Sequence, residues 1–527
     1  MAQQQTNESL VAPGFLGLNT QDSPLGMPVQ FASQATNCVI DRFGRIASRK
    51  GFKFYTTNPS VLGGNPIEQL EEFVLSDGTF YLMAAGNNKL WIQETESPFE
   101  LVELTLPADY TITANQWDMV SFNDKFFFVQ SGHEPLVFNP AVSTTAVAAW
   151  DEVPPETTTN KWPNCAHAAY GRLWVGDLDT NSTVVAWSGL LDGENWTTAG
   201  VGAIQTEEYW PNGFDNVTAI TAHNDFLVIF GENNILMYNT TADVASTLSL
   251  NDTIEGIGCV ARDSVQPTGI DMLFVDSSGV RSLNRTVQEK SVPVGDLSIN
   301  VRQDFQSNLS VASVGSIKSI FHVEDSFYAV FLPTNNITYV FDTGQPLPNG
   351  AARATTWESI RPRVATRSRD GNTYFAGDLG VYTYAGGEDR FLDPDNSYEE
   401  TVDPIRMQYF THPLDFGSSA TLVFPKQVDV TVIGGTSGEL SLRWGFDYKN
   451  PTNISTIDIG GSSPPAVWGG SEWADDVYWT LGQNINELKY NVWGQGRNVK
   501  FGFSSDIVGS QISIQEVNIQ VLQGRIL

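Results

Sequence analysis

The chain has 527 residues, and 60 acidic residues against 29 basic ones give it a net charge of −31 at pH 7. This excess disfavours a free nucleic-acid-binding protein, because binding phosphates requires cations that displace counterions. A hydrophobic content of 41% with only 17% charged residues predicts two or three packed domains, rich in β-structure rather than helices. The acidic excess serves either solubility or a wall along which DNA slides without binding.

Cysteines and terminal segments indicate the compartment. The chain has three cysteines, Cys38, Cys165 and Cys259. Their odd number and wide spacing argue against a disulfide framework. We therefore predict free buried thiols in a protein made in a reducing cytoplasm. The first residues lack the basic and apolar regions of a signal peptide, so none is expected. No run of about 18 apolar residues occurs, so we expect no membrane span.

Residues 1–60 are predicted to form an irregular N-terminal docking segment, since proline and glycine interrupt any long element. Two short strands are expected around the turn from Asp41 to Gly44. The stretch from Arg42 to Lys53 has five cations and no acid, which is unusual in so acidic a chain. This basic island is either a solvated hairpin face or a contact with an acidic partner surface. Its members are Arg42, Arg45, Arg49, Lys50 and Lys53.

Residues 61–395 repeat one pattern, in which a tight turn precedes a short aromatic strand and then a second strand. Successive turns are 44 to 56 residues apart, a spacing typical of β-propeller blades. We predict about seven blades, with the strand after each turn as the inner one; six or eight stay open because the chain ends can share a blade. The turns lie at Asp77-Gly78, Asn123-Asp124, Tyr170-Gly171, Asn224-Asp225, Thr268-Gly269, Glu324-Asp325 and Asp370-Gly371.

Two polar segments interrupt the repeat and are predicted to be exposed loops. One runs from Asp151 to Asn160, and the other, from Thr240 to Gly258, is interpreted as a long crossing between blades. Loops held on a rigid scaffold commonly carry binding or gating surfaces. The candidate residues in them are Asp151, Glu152, Glu156, Asp252 and Glu255.

Residues 396–527 are predicted to form a C-terminal antiparallel β-sandwich. The stretch from Ile512 to Val521 alternates apolar and polar residues except at Gln515-Glu516, which indicates a strand with one buried face. The fold class predicted for the whole chain is therefore all-β: a propeller, a sandwich and an irregular N-terminal β-segment.

Motifs for catalysis and for metal or cofactor binding were sought and not found. The five histidines are scattered, and no phosphate-binding loop, dinucleotide fingerprint or nucleophile elbow occurs. The stretch from Ser368 to Tyr374 resembles the Asp-box turn of sialidases, but it lacks one residue between Asp370 and Gly371 and ends in tyrosine. We therefore predict no enzyme activity, no metal and no cofactor.

Both chain ends resemble one family. The stretch Gly14 to Pro24, followed by Ala35 to Asp41 and Gly44 to Phe52, is similar to the opening of bacteriophage tail proteins, with Leu16-Gly17 in place of their glycine pair. Towards the C-terminus, His412 to Gly417 and Gly494 to Asn498 are also similar. The chain thus resembles the tail nozzle family of short-tailed phages, also called tail tubular protein B.

The resemblance implies a structural virion protein of the phage tail, made in the host cytoplasm. Six copies would form a ring that continues the DNA ejection channel and closes it until ejection. The basic island would contact a neighbouring subunit or the tail adaptor, and the two loops are candidate channel gates. Further expected partners are tail fibres, the host surface, and double-stranded DNA that passes without sequence-specific binding. The alternative is a carbohydrate-binding or glycan-cleaving β-propeller protein.

Overall fold

In the described part of the chain, β-strands predominate over helices and are arranged as seven blade sheets and a β-sandwich. Among the described residues, no helix is long and apolar enough to cross a membrane. The computed structural model describes residues 4–24, 26–55, 62–93, 100–152, 154–155, 162–179, 181–211, 213–289, 296–358, 362–369, 371–378, 380–385, 398, 404–417, 420–434, 438–459, 485–509 and 511–526. The predicted all-β class, with a propeller as its main unit, is confirmed.

Among its described residues the N-terminal segment, which was predicted to be an irregular β-segment with two short strands, contains six strands. It supplies strands to both the sandwich and the propeller, as described below. These strands are β1 (Gln4–Val11), β2 (Gly17–Leu18), β3 (Phe31–Thr36), β4 (Cys38–Ile40), β5 (Ile46–Ser48) and β6 (Phe52–Phe54).

The first four blades are four-stranded antiparallel sheets. Blade 1 consists of β7 (Gln69–Val74), β8 (Phe80–Gly86), β9 (Lys89–Gln93) and β10 (Leu101–Glu103); blade 2 of β11 (Asp118–Phe122), β12 (Lys125–Gln130), β13 (His133–Phe138) and β14 (Ala148–Ala149). Blade 3 consists of β15 (Pro163–Ala169), β16 (Arg172–Leu178), β17 (Asn181–Trp187) and β18 (Gly202–Gln205); blade 4 of β19 (Val217–His223), β20 (Phe226–Gly231), β21 (Asn234–Asn239), the short helix α1 (Val244–Thr247) and β22 (Ser249–Glu255).

The remaining blades are less regular. Blade 5 has three strands, β23 (Gln266–Pro267), β24 (Met272–Asp276) and β25 (Gly279–Ser282), followed by the helices α2 (Leu283–Glu289) and α3 (Arg302–Val311). Blade 6 consists of β26 (Lys318–His322), β27 (Phe327–Leu332), β28 (Ile337–Asp342) and β29 (Arg353–Trp357); blade 7 begins with β30 (Pro362–Arg367), β31 (Thr373–Gly377) and β32 (Gly380–Tyr384). Short 3-10 helices lie at Thr206–Glu208, Arg262–Ser264, Ile299–Val301, Val314–Ser316 and Pro333–Asn335.

The predicted turns join the first two strands of their blades. Asn123 and Asp124 have φ of 48° and 60°, and Asn224 and Asp225 have φ of 47° and 66°. Two successive left-handed residues are the geometry of a two-residue hairpin, which asparagine and aspartate tolerate better than other side chains. The repeat in the sequence is therefore a repeat of hairpins. Asp370, in the last predicted turn, lies outside the described residues.

The first strand of each blade lies nearest the propeller axis. β7 contacts β11, β11 contacts β15, and β15 contacts β19. The 3-10 helix Arg262–Ser264, which precedes β23, contacts both β19 and β26. Since β30 contacts both β26 and β7, the ring is closed. The prediction that the strand after each turn is the inner one is wrong, because that strand is second in its sheet. The aromatic residues of this second strand instead pack between adjacent blades. Where blade 7 meets blade 1, for example, Tyr374 of blade 7 lies in the same core as Leu82 of blade 1.

Blade 7 is completed by the N-terminal strand β6. Phe52 pairs with Tyr384 and Phe54 with Tyr382, so residues more than 300 positions apart in the chain form one sheet. The Phe52 ring lies 5.0 Å from Phe375 and 5.4 Å from Tyr384, between centroids, and is fully buried. The sequence left open that distant parts of the chain share one blade. Blade 7 is such a shared blade, and the described sheets form a ring of seven.

The sandwich is built from both ends of the chain. Its C-terminal strands are β33 (Ile405–Thr411), β34 (Thr421–Gly434), β35 (Glu439–Phe446), β36 (Asn453–Asp458), β37 (Ile485–Asn491), β38 (Val499–Ile507) and β39 (Ile512–Ile526). One sheet has the order β37-β34-β39-β5-β4 with β1 on β39. The other runs β3-β33-β38-β35-β36 and continues blade 6 through a parallel pairing of β29 with β3. Buried residues of both sheets, among them Val430, Ile519, Trp444 and Phe503, form one core.

Candidate functional site

The turn of the β4–β5 hairpin presents an exposed cation and an exposed aromatic ring. The Asp41 side chain fixes this turn, since its Oδ1 accepts hydrogen bonds from the N–H groups of Phe43 at 2.9 Å and Arg45 at 3.0 Å. Arg42 is exposed, and Phe43 is 51% exposed. The guanidinium carbons of Arg42 and Arg45 lie 4.8 and 4.6 Å from the centre of the Phe43 ring, within the range of a cation–π interaction.

Two further arginines of the basic island are buried inside the chain. Arg45 is 5% exposed, and its Nε lies 2.7 Å from Asp41 Oδ2. Arg49 is fully buried; its Nε donates to Asn37 Oδ1 at 3.1 Å, and its guanidinium lies 5.2 Å from the ring centre of Phe52. Neither arginine is presented to a partner chain in this arrangement.

Both lysines of the island contact the propeller. The Lys50 Nζ lies 2.8 Å from both carboxylate oxygens of Asp325, at the turn between β26 and β27. Lys53 is half-buried in β6, where it pairs with Thr383 of blade 7. The role of the island as an interface stays a prediction, and within it Arg42 with Phe43 is the part that the fold leaves most exposed.

The candidate gate residues lie on the outer rim of the propeller. Asp151 is exposed just after β14, the outermost strand of blade 2. The Glu152 carboxylate accepts hydrogen bonds from the N–H of Trp196 at 2.7 Å and the hydroxyl of Thr197 at 2.9 Å, and the first of these lowers its pKa. Glu152 therefore anchors its loop to blade 3.

The second candidate gate segment is not a loop. Asp252 and Glu255 belong to β22, the outermost strand of blade 4, and α1 precedes that strand. The interpretation of Thr240 to Gly258 as a long crossing is therefore wrong. It contains an edge strand in which Ile254 is buried and the other residues are exposed or half-buried. Glu156 lies outside the described residues.

A cluster of charged side chains crosses the propeller axis at Arg262. The Arg262 guanidinium binds the Asp263 carboxylate at 3.0 and 3.1 Å and donates to the backbone carbonyls of Asn164 and Gln116. Its Nε lies 3.8 Å from Asp118 Oδ2, and the Lys318 ammonium contacts Asp263. These residues come from blades 2, 3, 5 and 6 and their connections, so one side chain links four parts of the ring.

Burial and pairing oppose each other in this axial cluster. Burial favours the neutral acid, but the Arg262 and Lys318 cations outweigh it and lower the pKa of Asp263 to about 2. Burial raises the pKa of Asp118, which is farther from Arg262. The buried Arg262 stays charged, since the carboxylates of Asp263 and Asp118 outweigh its burial and raise its pKa. The cluster is a paired ionic core and not a free acid–base couple.

Several carboxylates form hydrogen bonds between neighbouring blades. Glu72 of blade 1 accepts from the N–H of Arg369 in blade 7 at 2.9 Å, and Asp179 of blade 3 accepts from the N–H of Gly132 in blade 2 at 2.9 Å. Asp118 of blade 2 accepts from the N–H of Ala166 in blade 3 at 2.8 Å. Part of the acidic excess therefore holds the ring together, since hydrogen bonds to charged groups are among the stronger ones.

A polar cavity of about 840 Å³ opens above the Arg262 cluster, at the end of the axis where the first strands begin. Residues of the blade connections and of the turns between second and third strands line it, including Gln116, Gln130, Asn164, Asn216 and Asn233. Neither this cavity nor the Arg262 cluster was predicted from the sequence. A possible signal was a polar residue beside the start of each first strand, which the hairpin pattern alone does not single out.

Nothing in the described part of the chain groups three or more histidine, cysteine or acidic side chains in a way that could hold a metal ion. The three cysteines are buried and unpaired with one another, as predicted. Burial raises the pKa of Cys38 and of Cys259 to about 12, so both remain protonated thiols near neutral pH. A protonated thiol is a poor nucleophile.

Glu71, on the innermost strand of blade 1, is expected to make stability depend on pH. Burial raises its pKa from 4.5 to about 7, although the Thr366 hydroxyl donates a hydrogen bond to its carboxylate at 3.1 Å. The pKa of Glu71 is higher in the folded chain than in the unfolded chain. The contribution of protonated Glu71 to the free energy of unfolding is therefore complete below pH 4.5 and is lost as the pH rises through 7. Asp118 and Glu72 add like charge nearby.

The variant Glu71→Gln cannot ionise, so it should lose this dependence. Its free energy of unfolding, relative to wild type, should rise between about pH 5 and about pH 8, by up to about 3 kcal/mol, because one pKa unit corresponds to about 1.4 kcal/mol. Urea unfolding at several pH values measures this, with the exposed Glu207→Gln as control. Parallel pH profiles for Glu71→Gln and wild type would show that Glu71 is not the titrating group.

Comparisons with known proteins bear on the fold alone. No protein-family model matches the chain, and no curated protein sequence does. Saccharomyces cerevisiae Sqt1 is 10% identical over 59% of this chain and 81% of that chain, with a TM-score of 0.37. The WD40 domain of Neurospora crassa Pan2 is 9% identical over 64% and 94%, with a TM-score of 0.38. A streptogramin B lyase is 10% identical over 64% and 97%, with a TM-score of 0.36. The number of blades follows from the sheets described above.

Proposed function

We propose that the protein is a structural component of a bacteriophage tail, in which a hexameric nozzle ring continues and closes the DNA ejection channel. The observation that carries this proposal is the N-terminal sequence pattern shared with tail proteins. In this fold the pattern has a clear physical role. Asn37, at φ 52°, donates to the Arg406 carbonyl in the sandwich and accepts from Arg49 and from the N–H of Glu358, beside blade 6. Through Asn37, this N-terminal pattern thus joins the sandwich to the propeller.

The channel of such a ring must lie between copies. The axis of each propeller is occupied by Arg262, Asp263 and Lys318, whose paired side chains leave no room for a DNA duplex. Gln116 and Gly315 also approach each other across the mouth, where a Cβ on Gly315 would lie 1.7 Å from Gln116 Oε1. In this proposal the propeller is a rigid wall element, and its rim or sandwich faces the bore.

The net charge of −31 suits a wall along which DNA moves. Carboxylates on the bore repel phosphates, so the duplex passes without the counterion release that would bind it. The proposed partners are further copies of the chain, the tail adaptor, tail fibres and the host surface. Asp151, which is exposed near the rim of blade 2, and the half-buried Glu152 beside it remain candidate gate residues in this proposal.

The hairpin tip offers a test of ring assembly. The exposed Arg42, supported on Phe43, is suited to contact the acidic surface of a neighbouring copy. Arg42→Glu should shift the protein from rings to smaller species, as measured by native mass spectrometry. The matched control is Arg367→Glu, an equal charge change at an exposed arginine of β30 in the propeller.

Rings of six copies for wild type and for Arg367→Glu, with loss of rings for Arg42→Glu, are the expected result. Unchanged rings for Arg42→Glu would remove the hairpin tip from the subunit contact. A wild-type protein that stays monomeric alone and with its adaptor would contradict the nozzle proposal itself. Arg45 and Arg49 are unsuitable for this test because both are buried, and their loss would disturb the fold.

A further inference from the structure

We propose that the axial cavity of the propeller binds a neutral, polyhydroxylated ligand such as a short oligosaccharide. This inference is independent of ring formation, because it concerns a site inside one chain. The volume of about 840 Å³ lies within the range of roughly 300–1,000 Å³ that small-molecule sites span. The cavity is open at one end of the axis and closed at the other by the Arg262 cluster.

The lining combines hydrogen-bond donors and acceptors at short spacing. Amides from blades 2, 3 and 4 and the hydroxyls of Ser131, Ser182 and Thr218 surround the space. Hydroxyl groups both donate and accept, so a sugar can bond to amides and hydroxyls in either direction. Small apolar residues, among them Val217 and Val260, line the rest and leave room for C–H faces.

Two amides of the lining are held in fixed orientations. The Asn164 amide donates to Asp177 Oδ2 at 2.8 Å, and its oxygen accepts from the N–H of Ser131. The Asn216 amide donates to Glu232 Oε1 at 3.1 Å, and its oxygen accepts from the Ser182 hydroxyl at 2.5 Å. Because these side chains are already ordered, less conformational entropy is lost when a ligand binds.

The charges of the cavity select against anions. Arg262 is saturated by Asp263, Asp118 and two backbone carbonyls, so it offers no free cation to a carboxylate or phosphate. Asp177 and Glu232 add negative charge to the lining. Burial raises the pKa of Asp177, and the neighbouring Asp179 and Glu232 raise it further. Sialylated sugars and nucleotides are therefore expected not to bind.

A pair of surface valines allows a sharp test. Val314 lines the cavity mouth and is 58% exposed, whereas Val311, at the end of α3, is 65% exposed and does not line the cavity. Val314→Trp should narrow the mouth, while Val311→Trp makes the same change nearby. Both should unfold at the same denaturant concentration as wild type, since exposed substitutions change stability by about 0.5 kcal/mol or less.

Binding is measured by isothermal calorimetry and saturation-transfer NMR on the full chain. The probes are the neutral trisaccharides maltotriose, cellotriose and chitotriose, together with sialyllactose and spermidine. At least one neutral trisaccharide should bind, with an affinity reduced about tenfold or more by Val314→Trp and less than about twofold by Val311→Trp. Asn233→Ala, which removes an exposed amide of the lining, should also weaken binding.

Three outcomes would overturn the proposal: no neutral trisaccharide binds, Val314→Trp binds as well as Val311→Trp, or only spermidine or sialyllactose binds. The ring proposal is unaffected by any of them, because particle mass is measured without sugar. Conversely, a monomeric protein that binds a neutral trisaccharide in this cavity would support the site and contradict the nozzle.

Discussion

Replacing Arg262 with methionine is expected to lower the free energy of unfolding by about 3–5 kcal/mol, which is the range for removing one partner of a buried ion pair. Methionine fills a similar volume but leaves Asp263 and Asp118 without their guanidinium, and two backbone carbonyls without a donor. Lys318 compensates only in part, since its ammonium pairs with Asp263 and donates nothing to the two carbonyls that Arg262 binds in the described structure. Urea unfolding followed by tryptophan fluorescence measures the change.

The control is Arg363→Met, which removes an exposed pair with Asp378, whose atoms are 2.8 Å apart. Surface pairs of this kind contribute about 0–1 kcal/mol, so this variant should resemble wild type. Equal stability of Arg262→Met and Arg363→Met would mean that the axial cluster does not hold the blades together.

The variant Phe52→Ala is expected to cost about 3–5 kcal/mol, which is the range for removing a fully buried phenylalanine. Phe52 packs edge-on against Phe375 and Trp357 and lies within 5.4 Å of Tyr384, between centroids. The loss has a second consequence, because β6 is the strand that completes blade 7 and so closes the ring. Amide hydrogen exchange in β32 should therefore accelerate more than exchange in blade 3.

The matched control is Phe214→Ala, the same substitution at a ring that is 65% exposed. It should change the free energy of unfolding by about 0.5 kcal/mol or less, as exposed substitutions do. If Phe52→Ala were no less stable than Phe214→Ala, or if exchange in β32 stayed unchanged, closure by the N-terminal strand would not contribute to stability.

Local features explain why the propeller could be predicted from the sequence. Hairpin turns such as Asn123-Asp124 and Asn224-Asp225 need residues that tolerate positive φ, so the turns are visible in the residue types themselves. The aromatic strands after them bury against neighbouring blades in the expected way. The order of strands from the axis outwards was predicted wrongly, because alternation in a hairpin does not reveal which strand faces the axis.

Long-range contacts explain what the sequence did not reveal. Lys50 was interpreted as part of a free basic surface, but its partner Asp325 lies 275 positions away. The β6–β32 pairing and the Arg262 cluster have the same origin, since each brings together residues from different blades. The helix α3 was missed because it has one fully buried residue, Phe305, and therefore a weak apolar periodicity.

The most direct test of the nozzle proposal is a three-dimensional reconstruction of the purified particle by electron cryo-microscopy. The proposal predicts a ring of six copies whose central opening admits a DNA duplex and is lined mainly by aspartate and glutamate. An opening lined mainly by lysine and arginine, or a particle with one chain and no ring, would contradict it.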